Sequence, residues 1–252
     1  VTGERRAVVV GGSRGIGRAV VARLATDGFR VVATGRDPAS LEQLRDGLAA
    51  RGLEVDTAVA DATDEAATRR LADEVGDVDA LVVNAGASSA APLARTDLDT
   101  WQHLLQVNAT GAFLALRAFV PSMVARGVGR AVVVASTAAL SGSPYISAYA
   151  ASKHAALGLV RSVAAEVAGR GVTVNAVCPH FVHTDMTEEA VTRIQQATGR
   201  EASAARDELA HSSRLGRLIE PEEVAAAVAM LVGATDDTIN GQALVLDGGG
   251  HW

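Results

Sequence analysis

An α/β fold built on one doubly wound parallel sheet is what this 252-residue chain predicts, and three observations predict it. Short Val-rich runs alternate with longer helical patterns, the rhythm of repeated βαβ units. Hydrophobic residues make up 48% of the chain but aromatic residues only 3%, so the core has to be Ala, Val and Leu. Such small residues let helices lie close on a sheet buried on both faces. A Gly-rich turn, Gly11–Gly17, joins the first strand to the first helix, where such folds approach a ligand. No linker, repeat or low-complexity segment breaks the pattern, so residues 1–252 read as a single domain with a sheet of about seven strands.

Ala7–Gly11 is an apolar, Val-rich strand. The first helix, Ile16–Thr26, carries Val20, Val21, Leu24 and Ala25 at helical spacing, and Gly28 ends it. Arg30–Thr34 is the second strand and Pro38–Ala50 the second helix, closed by Gly52. Glu54–Ala60 alternates as a third strand, Asp64–Val75 is a third helix, and Ala80–Asn84 a fourth strand. Asp97–Val124 is a long helical pattern with expected interruptions at Gly111 and Pro121. Arg130–Ser136 (strand), Tyr149–Ala168 (helix) and Val172–Cys178 (strand) continue the alternation. Pro221–Val232 is a helix with Pro in its first turn, where the missing N–H costs nothing, and Ala243–Leu246 is the last strand. A polar insertion at about 183–217 precedes that last unit and shows two weak helical patterns, Glu188–Thr198 and Ala202–Ser212. Its length favours a substrate lid over plain loop, with a padding helical hairpin as the alternative.

The formal net charge is −6 and the pI about 5.5, with acidic and basic residues interspersed. That balance argues against a nucleic-acid or anionic-membrane partner. The single cysteine, Cys178, excludes an internal disulfide and a Cys-rich metal site. With no signal peptide and no run of about 18 apolar residues, a soluble cytoplasmic protein is the expectation.

The glycines of Gly11-Gly12-Ser13-Arg14-Gly15-Ile16-Gly17 let the backbone turn sharply and approach a pyrophosphate, while the helix N-terminus offers free N–H groups. At the end of the second strand, where a carboxylate would hold a ribose 2′-hydroxyl, stand Thr34-Gly35-Arg36. Two guanidinium groups, Arg14 and Arg36, suit a 2′-phosphate, so NADP(H) is expected over NAD(H); the alternative is that Arg36 points to solvent beside Asp37. Asp61 can accept from an adenine amino group, or Asp61 or Thr63 can cap the next helix. Asn84-Ala85-Gly86 ends the fourth strand and tolerates a close cofactor approach, or is a simple turn.

Tyr149 and Lys153, four apart on a predicted helix, share a face. A nearby ammonium lowers a phenol pKa and makes a tuned proton donor, although an isolated pair equally describes two residues on a wet helix face. Ser136 ends a Val-rich strand, where a hydroxyl can hold a substrate oxygen beside the phenol. Asn108 is polar in an apolar helix and needs partners: it either satisfies a kink near Gly111 or orders a water near Lys153.

Taken together, the Gly-rich loop, Asp61, Asn84-Ala85-Gly86, Asn108, Ser136, Tyr149-x-x-x-Lys153 and Asn175…Pro179…Thr184 resemble the short-chain dehydrogenase/reductase family over nearly the whole chain. The resemblance implies a Rossmann-type sheet and a catalytic tetrad of Asn108, Ser136, Tyr149 and Lys153. In it Tyr149 donates a proton to a carbonyl oxygen held by Ser136, and no metal is required, since the phenol and the hydroxyl polarise the carbonyl. Lys153 lowers the phenol pKa and binds the nicotinamide ribose, and Asn108 holds a water that links Lys153 to solvent. It also implies cofactor contacts from Gly11, Ser13, Arg14, Gly15, Ile16, Gly17, Arg36, Asp61, Ala62, Asn84, Ala85, Gly86, Tyr149, Lys153, Pro179, His180, Val182 and Thr184. Three positions depart from the family pattern: Val10 for a Thr, Val83 for an Asn, and His180 for the Gly that usually follows Pro179. His180 is expected to contact the carboxamide or the substrate, or to point outward.

Candidate substrate residues are Ser136, Thr137, Ala138, Tyr145, Tyr149, His180, Phe181 and Met186, a mildly apolar wall with hydroxyls. The compact frame is similar to bacterial 3-oxoacyl thioester reductases and polyketide ketoreductases. It implies NADPH-dependent reduction of a small-molecule ketone, carrier-protein- or CoA-linked in those relatives. Oxidation of a secondary or cyclic alcohol, or of a hydroxyacyl-CoA, is the alternative, and a non-catalytic NADP(H) sensor is a second one. The family also implies a homotetramer or homodimer paired through the helices from Asp97 and Tyr149.

Overall fold

In the computed structural model, residues 5–250 are described, so the termini of the expected 1–252 unit lie outside the described residues. Seven parallel strands form one sheet in the order β3-β2-β1-β4-β5-β6-β7: β1 Arg6–Val10, β2 Arg30–Gly35, β3 Val55–Val59, β4 Ala80–Val83, β5 Gly129–Val134, β6 Val172–Pro179 and β7 Ala243–Leu246. The chain builds outward from β1 to β3, then returns and builds the other way from β4. The strand order therefore reverses between β1 and β4, and a crevice opens at their carboxyl ends.

Helices cover both faces. α1 (Gly15–Thr26), α2 (Pro38–Ala49) and α9 (Pro221–Val232) pack Val20, Leu24, Leu44 and Val228 against Val9, Val31 and Val132. On the other face α3 (Glu65–Val75), α5 (Gly111–Arg126) and α6 (Ser147–Val167) pack Leu71, Phe119, Met123 and Leu157 against Val8, Leu81 and Val174. Neighbouring residues of one strand, Val8 and Val9, thus enter opposite cores, which is why the strands read as unbroken apolar runs rather than alternations. Full burial of each such side chain stabilises by roughly 1.5–3 kcal/mol.

Two expectations are sharpened. The long helical pattern becomes α4 (Leu98–Leu105), one π-helical turn at Gln106–Thr110, and α5, so the helix is interrupted around Asn108 rather than at Gly111 or Pro121. Pro121 stays inside α5. Residues 98–126 form the one described helix long and apolar enough to cross a membrane, but half of its most apolar window is buried inside the fold, as in a core helix. The insertion folds as α7 (Asp185–Thr198) and α8 (Ala202–His211) around a small cluster of Val191, Ala205 and Leu209.

Candidate active site

The Gly-rich loop closes on the end of β4. A Cβ on Gly11, whose φ is +79°, would lie 2.6 Å from the Ala85 nitrogen, and one on Gly17 would lie 2.0 Å from the Gly11 carbonyl oxygen. The Asn84 side chain donates to that same carbonyl over 2.7 Å. Gly15 (φ +52°) faces the Thr184 methyl group, so the start of the insertion touches the loop. Ser13 approaches Gly35 at the end of β2, and Ile16 packs on the core behind the loop.

α1 differs from its neighbours at its N-terminus. α2, α3 and α4 are capped by the carboxylates of Asp37, Asp64 and Asp97. Arg14, the residue before α1, makes no side-chain cap, and no acidic residue stands in the first turn. The first amides and the positive end of that helix are left for an external anion. Arg14 and Arg36 are both exposed at this edge of the sheet, and neither forms an ion pair among the described residues. The residues present therefore fit a dinucleotide with a 2′-phosphate: a glycine cradle, an uncapped helix start and two guanidinium groups.

Asp61 is partly committed. Its Oδ1 accepts from the Thr63 amide at 2.9 Å and from the Thr63 hydroxyl at 2.8 Å, and these bonds, with nearby Arg36, hold its carboxyl below the usual range. The cap of α3 is Asp64, not Asp61 or Thr63. Asp37 caps α2 and forms no ion pair with Arg36 among the described residues. Ala62 sits under Gly111, its carbonyl oxygen 3.4 Å from where a Cβ there would lie.

Asn108, Lys153 and Gly86 converge. A Cβ on Gly86 would lie 3.2 Å from Asn108 Oδ1 and 3.5 Å from Lys153 Nζ. The π turn aims the buried Asn108 at the β4 loop: Oδ1 accepts from the Ala87 amide at 3.0 Å, and Nδ2 donates to the Ala87 carbonyl and to Ser152 Oγ, each at 2.9 Å. A regular α-helix would point this side chain elsewhere, and π turns recur at functional sites for that reason. Of the two alternatives for Asn108, the kink finds no support: its bonds go to Ala87 and Ser152 and, among the described residues, none to the backbone of the interruption, while its side chain stands beside Lys153.

Lys153 Nζ donates to the Val134 carbonyl at 3.2 Å and lies 5.9 Å from the Tyr149 ring centre. Ser136 Oγ accepts from the Ala138 amide at 3.1 Å, which leaves its own proton available. Tyr149 and Ser136 interact through their side chains, a contact that lowers the phenol pKa, but burial outweighs it and the phenol stands above its ordinary value. Burial likewise pulls Lys153 down to about 8. The expected lowering of the phenol by Lys153 is therefore not present in the protein alone. Buried Cys178 beneath them is pushed up to about 11, an inert thiol.

The outer wall departs from expectation. Thr137 and Ala138 are buried in a short 3₁₀ turn after Ser136. Tyr145 is 66% exposed at a left-handed φ of 70°, and its carbonyl accepts from the Ala91 amide at 2.7 Å; it stands at the rim, not in the wall. Phe181 packs on the cluster of α7 and α8, and Met186, on α7, is 38% exposed. Pro179 ends β6, and Val182 is buried in an isolated bridge with Ile219. His180 does not point outward: its ring bonds Thr137 and Ser212. Ser152, the Val134 carbonyl and Ser212 also stand in the site, none of them expected from the sequence. Ser152, inside the Tyr149–Lys153 turn, is within its reach by spacing alone.

Residues 5–195 match the family model described as short chain dehydrogenase. The chain is 35% identical to a 3-oxoacyl-[acyl-carrier-protein] reductase of Synechocystis sp., over 96% of this chain and 95% of that one. It is 33% identical to gluconate 5-dehydrogenase of Gluconobacter oxydans, over 97% and 93%. Among solved structures it resembles a single-substitution variant of the actinorhodin polyketide ketoreductase with NADPH, at a TM-score of 0.91 and 32% identity over 98% of this chain and 97% of that one.

Proposed function

The chain belongs to the short chain dehydrogenase family, and from that premise we propose that it reduces a ketone to a secondary alcohol with NADPH, the ketone being a 3-oxoacyl thioester or a polyketide-type carbonyl. The observation that carries the reading is the convergence of Asn108, Ser136, Tyr149 and Lys153 at the carboxyl ends of β4 and β5, beside the uncapped start of α1. The likeness to 3-oxoacyl-[acyl-carrier-protein] and polyketide reductases supports the substrate class.

In this reading Ser136 donates to the carbonyl oxygen with the proton its bond from Ala138 leaves free. Tyr149 gives its phenol proton to the same oxygen as negative charge develops there. Lys153, whose ammonium has the Val134 carbonyl as its one hydrogen-bond partner among the described residues, binds the nicotinamide ribose and favours the phenolate as the proton leaves. Asn108 holds the turn at Ala87 and links toward Lys153 through ordered water. The loop 11–17, Arg14, Arg36, Asp61, Ala62, Asn84–Gly86, Pro179, Val182 and Thr184 hold the dinucleotide. When bound, NADPH supplies the hydride.

The reading includes one unit in which α7 and α8 form a substrate lid. It includes a cytoplasmic setting, supported by a sequence with one cysteine and so no disulfide framework. It includes a homotetramer or homodimer, supported by the exposed Leu98, Trp101 and Phe113 on α4 and α5. A second reading, oxidation of a hydroxy compound, is favoured by the likeness to gluconate 5-dehydrogenase. NADPH consumption over a panel of 3-oxoacyl thioesters and cyclic ketones, set against NADP⁺ reduction with polyols, separates the two.

A further inference from the structure

We propose that His180 is a positioning residue that latches the lid, through Ser212 at the end of α8, onto the turn that carries Ser136, and so sets the width of the carbonyl pocket. The inference rests on the ketone-reductase reading of that pocket. His180 stands where the family pattern has a Gly, which could make neither of the bonds described below.

The ring spans two elements that are remote in sequence. Its Nδ1 lies 3.0 Å from Thr137 Oγ1, one residue after Ser136, and its Nε2 lies 2.8 Å from Ser212 Oγ. The proton positions follow from the neighbours. Ser212 Oγ is 2.6 Å from the Leu209 carbonyl oxygen. A carbonyl can only accept, so the hydroxyl proton lies between these two oxygens. Ser212 must then accept from Nε2–H. In the neutral imidazole Nδ1 carries no proton and accepts from the Thr137 hydroxyl. With the imidazole neutral, the chain of bonds runs one way, from Thr137 to His180 to Ser212 to Leu209, and the Thr137 proton is directed to Nδ1. Ser136 is left as the hydroxyl donor of that turn.

The ring has little freedom to leave this place. Its backbone amide donates to the Leu246 carbonyl at 3.0 Å, which ties it to the end of β7. Its edge meets the Phe181 ring at 4.9 Å between centres and 69° between planes, and Phe181 packs on the α7–α8 cluster of Val191, Ala205 and Leu209. The lid and the Ser136 turn are thus coupled through one side chain.

The test compares His180→Ala, Ser212→Ala, Ser212→Thr and the His180→Ala/Ser212→Ala double variant by two readouts: steady-state kinetics on a 3-oxoacyl thioester, and amide hydrogen exchange over residues 202–212. Loss of the latch is expected to raise KM about three- to tenfold with kcat within about threefold, as one or two half-exposed hydrogen bonds are lost. NADPH affinity is expected to stay within about twofold by the same scale. Exchange in α8 quickens while the sheet is unchanged, the double variant matches His180→Ala, and Ser212→Thr behaves as wild type. A His180→Ala variant with unchanged KM and unchanged α8 exchange overturns the proposal, as does a Ser212→Ala effect that persists undiminished without His180. If the wild-type protein reduces no ketone, the functional reading falls, and the exchange measurements alone decide the latch.

Discussion

Lys153 Nζ lies 3.2 Å from the Val134 carbonyl oxygen in a site where the lysine is only 5% exposed, and no carboxylate among the described residues forms an ion pair with it. The fold holds an ammonium that solvent and neighbours under-serve, which is why its pKa falls from 10.5 to about 8. In the free protein Lys153 is a local cost to stability. Between about pH 8 and 10.5 the unfolded chain binds this proton and the native state does not, so this group makes stability rise with pH across that window; below about 8 its full cost is present. Lys153→Met is expected to stabilise the free protein at pH 7 by about 2–3 kcal/mol, and to lose that pH slope, while abolishing turnover. Urea unfolding of both proteins at pH 7 and pH 9.5 measures the difference; a less stable variant with the slope intact would contradict it.

Asn108 holds both the amide and the carbonyl of Ala87. Replacement by Leu leaves those two half-buried backbone groups without their partners, at a cost of about 1–3 kcal/mol. Thermal unfolding of Asn108→Leu should show it, together with a loss of turnover larger than the loss of NADPH affinity. Ser152→Ala removes only the third bond and should fall well short of both effects.

Gly17 has no room for a methyl group, since a Cβ would lie 2.0 Å from the Gly11 carbonyl and 2.6 Å from Asn84 Nδ2. Gly17→Ala must push the loop away from β4. NADPH affinity, read by fluorescence titration, should fall by more than about tenfold, the scale of a misplaced phosphate cradle. Gly142→Ala, where nothing stands within 4 Å of the added carbon, is the control expected to bind as wild type.

Arg14 and Arg36 are exposed and lack ion-pair partners among the described residues. The Arg14→Ala/Arg36→Ala variant should weaken NADPH binding by about 10- to 100-fold, the worth of one or two charge-assisted bonds to a phosphate, and weaken NADH binding far less. Titration of both cofactors checks it; equal losses would place the guanidinium groups away from the 2′-phosphate.

Much of this is legible in the sequence, because the strands are apolar on both faces and the glycines mark the turns. Val8 and Val9 serve opposite cores, so the strand run is unmistakable. Asn108 is marked by polarity alone, but the π turn that aims it has no sequence signal, since it depends on the bonds to Ala87 and Ser152 made after folding. The electrostatics of Tyr149 escape the sequence for a similar reason. Spacing puts Lys153 on its face, whereas burial, a tertiary property, sets the direction of both pKa shifts. His180 is visible as a departure, yet its partner Ser212 lies 32 residues away and only the folded lid brings the two together.

The most direct test of the account is NADPH oxidation with a 3-oxoacyl thioester by the wild-type protein and by Tyr149→Phe, with NADPH affinity measured alongside. The wild type should turn over, and the variant should bind NADPH normally while losing at least about 100-fold in kcat, the worth of a general acid. A Tyr149→Phe variant that turns over as the wild type does, or a wild type that binds NADPH and reduces no ketone, would contradict it.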